Sequence, residues 1–141
     1  MPLKVNISEK GKTWKIELAD EMLSGKSIGD TIDGKEIKAE LAGYQLQITG
    51  GSDISGFPLT KDVEGIGLKR VLLTKGFGMR DSYPGIRRRK TVRGKTITTT
   101  TTQLNLSVVN AGATPLVEVF SDQNKPKEAG TSAPKTEAPV A

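Results

Sequence analysis

Ten lysine and arginine side chains lie close together in the middle of this 141-residue chain. The basic segment, residues 68–95, carries these ten positive charges and a single acid, Asp81, whereas residues 1–67 carry a net charge of −3 and residues 96–141 a net charge of −1. Charged side chains are costly to bury without partners, so the basic segment must stay hydrated or meet a polyanion. Arginine predominates, and its planar guanidinium group suits phosphate oxygens. The predicted RNA-binding residues are Lys69, Arg70, Lys75, Arg80, Arg87, Arg88, Arg89, Lys90, Arg93 and Lys95.

The run at residues 87–93 has less specific explanations. A basic run is commonly a solvated surface, and some basic runs are nuclear-import signals. Here, however, basic residues also precede the run, and glycine and proline residues are interspersed with them. Such a backbone can follow an irregular RNA surface, so the pattern favours a nucleic-acid contact over an inert surface.

The glycine loop, residues 50–60, is a second candidate site. Its glycines permit positive φ, and Asp53 can accept hydrogen bonds from neighbouring backbone amides. Such a loop either binds a phosphate through its N–H groups or forms a structural turn, and spacing alone favours the turn. The residues that define it are Gly50, Gly51, Asp53, Gly56 and Pro58. It lacks the pattern of a Walker loop.

Composition excludes several catalytic classes. The chain has no histidine and no cysteine, which excludes Ser-His and Cys-His nucleophile pairs, thiolate metal sites and disulfides. Its acids match no calcium-loop pattern. We therefore expect no enzymatic activity, no metal, no cofactor and no small-molecule substrate. The alternative from another class, an enzyme that uses Asp53 as an acid or base, has no evident second catalytic group.

Short alternating segments predict the elements that carry these residues. Leu3, Val5 and Ile7 alternate with polar residues, and so do Trp14 and Ile16, which predicts a hairpin over residues 1–18. Further strands are predicted at residues 28–32, 36–39, 44–49, 68–74, 104–108 and 116–120, with a helical turn at 19–23, a loop at 50–60 and a long basic excursion at 76–95. The fold class is therefore mainly all-β, a small barrel of short antiparallel strands. The apolar faces of these strands are predicted to supply the core residues Val5, Ile7, Trp14, Ile16, Leu18, Leu46, Ile48, Val71, Leu73, Leu104, Leu106 and Val108.

Two regions are expected. Residues 1–120 form the β-barrel domain, and residues 121–141, rich in Pro, Ala, Lys and Glu, form a mobile tail because they cannot bury enough apolar surface to offset their ordering entropy. No apolar run reaches transmembrane length and the N-terminus lacks a secretory signal, so we expect a cytoplasmic protein that contacts no membrane.

The two motifs together resemble the small-subunit ribosomal protein S-six family of the eukaryotic and archaeal type. The resemblance rests on Gly50-Gly-Ser-Asp-x-x-Gly-Phe-Pro58 after a strand, then Arg70-Val-Leu-Leu-Thr-Lys-Gly76 and Gly85-Ile-Arg-Arg-Arg-Lys-Thr-Val-Arg-Gly94, and covers about residues 1–109. Leu59 stands where the family motif usually has Met. The long basic, serine-rich extension of eukaryotic members is not present, so the chain is similar to the short archaeal form.

This resemblance implies a structural protein of the small ribosomal subunit, with a small β-barrel bound to ribosomal RNA beside neighbouring ribosomal proteins and with no catalytic activity. By analogy Arg87, Arg88, Arg89, Lys90 and Arg93 lie in the RNA-contacting excursion. The remaining alternative is a nucleic-acid-binding regulator outside the ribosome that uses the same segment.

Overall fold

The computed structural model describes residues 2–19 and 22–124. These residues form seven strands and two short α-helices: β1 (Leu3–Glu9), β2 (Lys12–Leu18), β3 (Thr31–Asp33), α1 (Gly34–Ile37), β4 (Gln45–Asp53), β5 (Leu68–Leu73), β6 (Arg88–Arg93), β7 (Thr101–Asn110) and α2 (Leu116–Val119). A 3₁₀ turn at Ala39–Leu41 lies between α1 and β4. Strands dominate, so the prediction of a mainly β fold is confirmed.

The β1–β2 hairpin is the one that the alternating pattern predicts. Ile7 pairs with Trp14 across the two strands, and both side chains are buried. Lys10 and Gly11 at the turn both have positive φ, 48° and 81°. Two such residues suit the two-residue turns whose twist matches that of the flanking strands.

The larger sheet has five strands in the order β2-β1-β7-β4-β3. Three of its pairings, β1–β2, β4–β7 and β3–β4, are antiparallel, whereas β1 and β7 run parallel. The prediction of antiparallel strands is therefore wrong for the β1–β7 pair. A long connection separates these two strands, and only antiparallel neighbours can be joined by a tight turn.

The predicted barrel is not confirmed. Among the residues that the structure describes, β2 and β3 form the two edges of an open sheet, and β5 and β6 form a separate two-stranded sheet. Isolated backbone bridges from Ser52 to Pro58 and from Leu59 to Arg93 connect the two sheets. The β5–β6 hairpin is thus joined to the end of β4 through the glycine loop.

One hydrophobic cluster lies against the larger sheet. Most of the predicted core residues belong to it or pack on its margin: Val5, Ile7, Trp14, Ile16, Leu18, Leu46, Ile48, Leu104, Leu106 and Val108. Val71 and Leu73, which were also predicted for the core, lie on β5 and are only half-buried. The hairpin that carries the basic residues therefore lies largely outside the main core.

Five local predictions differ from the structure. The strand predicted at residues 28–32 begins only at Thr31, where β3 starts, and a turn precedes it. The strands predicted at residues 36–39 and 116–120 are instead occupied by helical turns, in α1 with the following 3₁₀ turn and in α2. Residues 50–53 of the predicted loop belong to β4, and residues 88–93 of the predicted excursion form β6. Residues 50–53 were predicted as a loop because glycine often ends a strand. Glycine can nevertheless remain in a strand where another backbone approaches closely. The helical turn predicted at 19–23 includes residues 20 and 21, which lie outside the described residues.

The first residues of the predicted tail are bonded to the sheet. The side-chain oxygen of Gln123 accepts a hydrogen bond from the Lys15 amide at 2.7 Å, and its amide group donates to the Lys15 carbonyl at 2.8 Å. Asn124 donates in the same way to the carbonyl of Thr13. These side chains cover the edge of β2. Residues 125–141, the rest of the predicted tail, lie outside the described residues.

Candidate nucleic-acid interface

The β5–β6 hairpin carries six of the ten predicted RNA-binding residues on its two strands. Lys69 pairs with Val92 and Arg70 with Thr91, in a register without interruption. Paired residues share a face of a sheet, and successive residues alternate between faces. Arg70 and Arg89 therefore lie on one face of the hairpin, and Lys69, Arg88 and Lys90 lie on the other.

Three further cations, Lys75, Arg80 and Arg87, lie in the connection between β5 and β6, and all three are exposed. Positive φ at Gly76, Gly78 and Gly85 shapes this connection. The sequence expectation of an irregular basic excursion therefore holds for residues 76–87, and the segment becomes a regular strand only at Arg88.

Three of the ten predicted residues form ion pairs. Arg88 lies 3.0 Å from a carboxylate oxygen of Asp81, and Lys95 lies 3.4 Å from a carboxylate oxygen of Glu64. Both pairs are at the surface, where such contacts stabilise a fold little. The third pair, Arg93 with Asp53, is buried. The other seven have no acidic partner within the described part of the chain: Lys69, Arg70, Lys75, Arg80, Arg87, Arg89 and Lys90.

The buried pair fastens the end of β6 to the end of β4. Arg93 Nε donates to Asp53 Oδ2 at 2.8 Å, and one terminal nitrogen of Arg93 donates to the carbonyl of Ile66 at 2.8 Å. The other carboxylate oxygen of Asp53 accepts the amide of Phe57 at 2.8 Å. The Asp53 side chain is fully buried and that of Arg93 is 14% exposed. Arg93 thus differs from the other cations, because its guanidinium is engaged within the protein.

The pKa of Asp53 reflects this environment. Burial raises the pKa of the carboxyl, since a charged form loses its hydration. The hydrogen bond and the charge of Arg93, together with backbone amides of the loop, outweigh that effect and leave the pKa below its ordinary value. Asp53 is therefore ionised at neutral pH and completes a charged pair.

Backbone contacts of the glycine loop reinforce the same junction. The amide of Arg93 donates to the carbonyl of Pro58 at 2.9 Å, and the amide of Thr60 donates to the carbonyl of Arg93 at 3.0 Å. Gly56, with φ of +86°, closes the turn, and its amide donates to the Asp53 carbonyl at 3.0 Å. A Cβ at Gly51 would lie 2.3 Å from the Gln103 carbonyl oxygen, so only glycine fits between β4 and β7.

A second close approach lies beside β6. A Cβ at Gly94 would lie 2.0 Å from the carbonyl oxygen of Gly65. The amide of Gly94 donates to the carbonyl of Gly67 at 3.1 Å, and that of Lys95 donates to the carbonyl of Val63 at 2.9 Å. Residues 63–67 are thereby held against the chain leaving β6.

Large apolar side chains are exposed in and beside the basic segment. Leu68 is 46% and Leu72 is 57% exposed, and both lie on the face of the hairpin that carries Arg70 and Arg89. Phe77 and Tyr83, in the connection between the strands, are 56% and 57% exposed. The basic segment therefore exposes apolar as well as charged surface. None of these four residues was predicted from the sequence to bind a partner.

Geometry gives little support to the enzyme alternative. The Asp53 carboxylate is closed off from solvent and already accepts hydrogen bonds on both oxygens, whereas a general base must reach its substrate. Within residues 2–19 and 22–124, no group of three metal-ligating side chains lies together. In the same residues no helix has the length and apolar character needed to cross a membrane.

Comparison with known proteins agrees with the motifs. The model of a family described as ribosomal protein S6e matches residues 1–121. A relative from Methanosphaera stadtmanae is 38% identical over 131 residues, which cover 91% of this chain and 99% of the relative. Relatives from Methanococcus maripaludis and Methanocaldococcus jannaschii are 44% and 45% identical, over 82% and 78% of this chain and 94% and 82% of the relatives. All three are named small ribosomal subunit protein eS6.

Proposed function

Because the chain belongs to the ribosomal protein S6e family, we propose that it is a structural component of the small ribosomal subunit that binds ribosomal RNA through the β5–β6 hairpin. It would act in the cytoplasm, within the ribosome, and its other partners would be neighbouring small-subunit proteins. It would have no catalytic role and need no cofactor.

The observation that carries this proposal is the set of seven cations on the hairpin and its connecting loop that have no acidic partner among the described residues. Six of them are exposed and Lys90 is half-buried. Cations of this kind form charge-assisted hydrogen bonds to phosphate oxygens. A-form RNA hides its base edges in a deep, narrow groove, so recognition would depend on the shape of the RNA and on its backbone.

The junction between Asp53 and Arg93 has a supporting role in the proposal. A hairpin that lies outside the main core needs a fixed base if its cations are to meet phosphates at set positions. Arg93, Asp53 and the glycine loop would supply that base and would orient β6. Arg93 would therefore act as a brace, and the phosphate contacts would come from its exposed neighbours.

The salt dependence of RNA binding tests whether these cations contact phosphates. If all seven cations contact phosphates, the slope of log K against log salt for binding to small-subunit ribosomal RNA should be roughly −5 to −6. The double variant Arg87→Ala/Arg89→Ala should bind more weakly and reduce the steepness of that slope by roughly 1.5. Both side chains are exposed, so the fold should persist.

A charge-matched control uses two lysines that precede the basic segment. The double variant Lys12→Ala/Lys35→Ala also removes two positive charges from exposed positions and should leave the slope of log K against log salt unchanged. If both double variants gave the same slope, Arg87 and Arg89 would not contact phosphates, and the hairpin would not be the RNA interface. Sedimentation separates the ribosomal role from the regulator alternative, because a ribosomal component remains with small subunits in moderately high salt and a regulator is washed off.

A further inference from the structure

We propose that a cleft beside the hairpin binds one unpaired nucleotide of the ribosomal RNA, with its base stacked on Phe77 and its phosphate held by Lys61 and Lys75. This inference rests on the proposed function and names a binding site within it. Phe77 and Lys61 were not predicted from the sequence to bind RNA.

The cleft lies between the chain leaving β5 and the chain leaving the glycine loop. It has a volume of about 520 Å³, within the range of sites that hold small ligands. Its lining includes Leu73, Lys75 and Phe77 from the end of β5 and the chain that follows, and Thr60 and Lys61 from the chain that leaves the glycine loop. It is therefore built from the end of the basic hairpin and from the junction that fastens it.

Phe77 supplies the aromatic surface. Its ring is 56% exposed, although it lines a concave site where an apolar ligand group could cover it. Unpaired RNA bases stack on aromatic side chains, and every base has a face suited to this contact. An extruded base would thus cover apolar surface that water now contacts.

Charge around the cleft favours a phosphate. Lys61 and Lys75 are exposed and have no ion pair among the residues described, while Asp62 is the single acid in the lining. Lys75 also belongs to the seven cations of the proposed RNA surface, so the cleft continues that surface. A nucleotide extruded from RNA bound to the hairpin would reach the cleft without leaving the basic region.

A buried hydroxyl in the lining lacks a partner. Thr60 is 6% exposed, and its Oγ1 makes no hydrogen bond in the described part of the chain. Buried polar groups are normally hydrogen-bonded, so this hydroxyl is an exception. Its oxygen is closed off from solvent, so the nucleotide would be bound by Phe77 and the two lysines and not by this hydroxyl.

Chemical probing of the RNA in intact small subunits tests this site. Subunits would be purified with the wild-type chain or with Phe77→Ala, and the flexibility of each nucleotide would be measured by acylation of its 2′-hydroxyl. Loss of one stacked base contact should shift the equilibrium between the inserted and free nucleotide by about 5- to 150-fold. We expect one unpaired nucleotide, or two adjacent ones, to gain reactivity in Phe77→Ala subunits.

Two control variants separate stacking from other effects. Phe77→Tyr keeps the ring and should retain the wild-type reactivity. Tyr83→Ala removes an aromatic of equal exposure that does not line the cleft, and it should not change the same nucleotide. If Tyr83→Ala and Phe77→Ala give the same reactivity changes, the cleft has no specific role.

The experiment gives different results if only the cleft proposal is wrong and if the proposed function is wrong. If the variant chains remain in the subunits and Phe77→Ala changes no unpaired nucleotide, the cleft proposal is wrong and the ribosomal role is unaffected. If the wild-type chain itself does not sediment with small subunits, both proposals are wrong.

Discussion

Replacing Asp53 by Asn tests whether the buried pair is the main attachment of the basic hairpin. Asn has nearly the same shape, so its side-chain oxygen can still accept the Phe57 amide. It cannot provide the charge that Arg93 Nε now meets at 2.8 Å. The expected cost follows from two limits: a hydrogen bond to a charged group contributes about 1.5–3 kcal/mol, and breaking a fully buried ion pair costs about 3–5 kcal/mol.

The lower part of this range applies because the guanidinium keeps its bond to the Ile66 carbonyl and is 14% exposed. We expect Asp53→Asn to lower the free energy of unfolding by about 2–3 kcal/mol, which corresponds to a fall in melting temperature of about 10 °C for a chain of this size. Trp14, the single tryptophan, is 2% exposed and reports unfolding by fluorescence in urea. Asp62→Asn, at an exposed acid, should change stability by less than about 0.5 kcal/mol.

The effect should also depend on pH. The folded-state pKa of Asp53 is below its unfolded value, so the charged pair stabilises the fold fully above the unfolded pKa and loses that contribution as pH falls through the folded pKa. The stability difference between wild type and Asp53→Asn should therefore be constant near neutral pH and shrink below about pH 4. A difference that stays constant into strong acid, or one under about 0.5 kcal/mol at pH 7, would refute the reasoning.

Three further changes test other contacts. Gly94→Ala should destabilise the fold by more than about 2 kcal/mol, because its Cβ would lie 2.0 Å from a backbone oxygen. Unfolding in urea measures this change, and Gly67→Ala, whose Cβ would have no atom within 4 Å, is the control. Gln123→Ala should cost about 1–2 kcal/mol and speed hydrogen exchange of the Lys15 amide, because two hydrogen bonds to β2 are lost; unchanged exchange would contradict this. Thr60→Val should raise the melting temperature slightly, since it replaces by a methyl group a buried hydroxyl that has no partner in residues 2–19 and 22–124. A clear decrease would mean that the hydroxyl has a partner.

Elements with a clear alternation were predictable from the sequence. Leu3, Val5 and Ile7 specify β1 because a period of two puts them on one face, and Leu104 and Leu106 specify β7 in the same way. Strand β6 was missed because Arg88–Arg93 contains one valine among basic residues and threonine. Its pairing with β5 and its attachment through Arg93 determine its conformation, and neither is visible in local periodicity.

The short apolar run at Leu116 shows the opposite error. Its residues suit either a strand or a helix, and a run of this length has too few positions to distinguish the two periods. Pro115 precedes it, and proline is tolerated at the start of a helix, where its missing N–H is not needed. The structure has one helical turn there, with Leu116 buried against the core.

For the candidate site, composition located the basic segment. It did not show which of its cations are exposed and which is paired inside the protein. Arg93 looks like its neighbours in the sequence, yet it meets Asp53 across 40 positions. The one available signal was that Asp53 is the sole acid of the glycine loop and must be compensated if it is buried. The exposed Phe77 carried no comparable signal, because exposure is a property of the fold.

The parallel pairing of β1 with β7 has a consequence for how the chain folds during its synthesis. Asn6 and Asn105, which are hydrogen-bonded across this pair, are 99 positions apart. Strand β7 also separates β1 from β4, so the early hairpins remain with unpaired edges until Asn110 has left the exit tunnel. Distant pairings of this kind slow folding and leave nascent chains open to aggregation. The strand that is translated last in the sheet is therefore the one around which the others assemble.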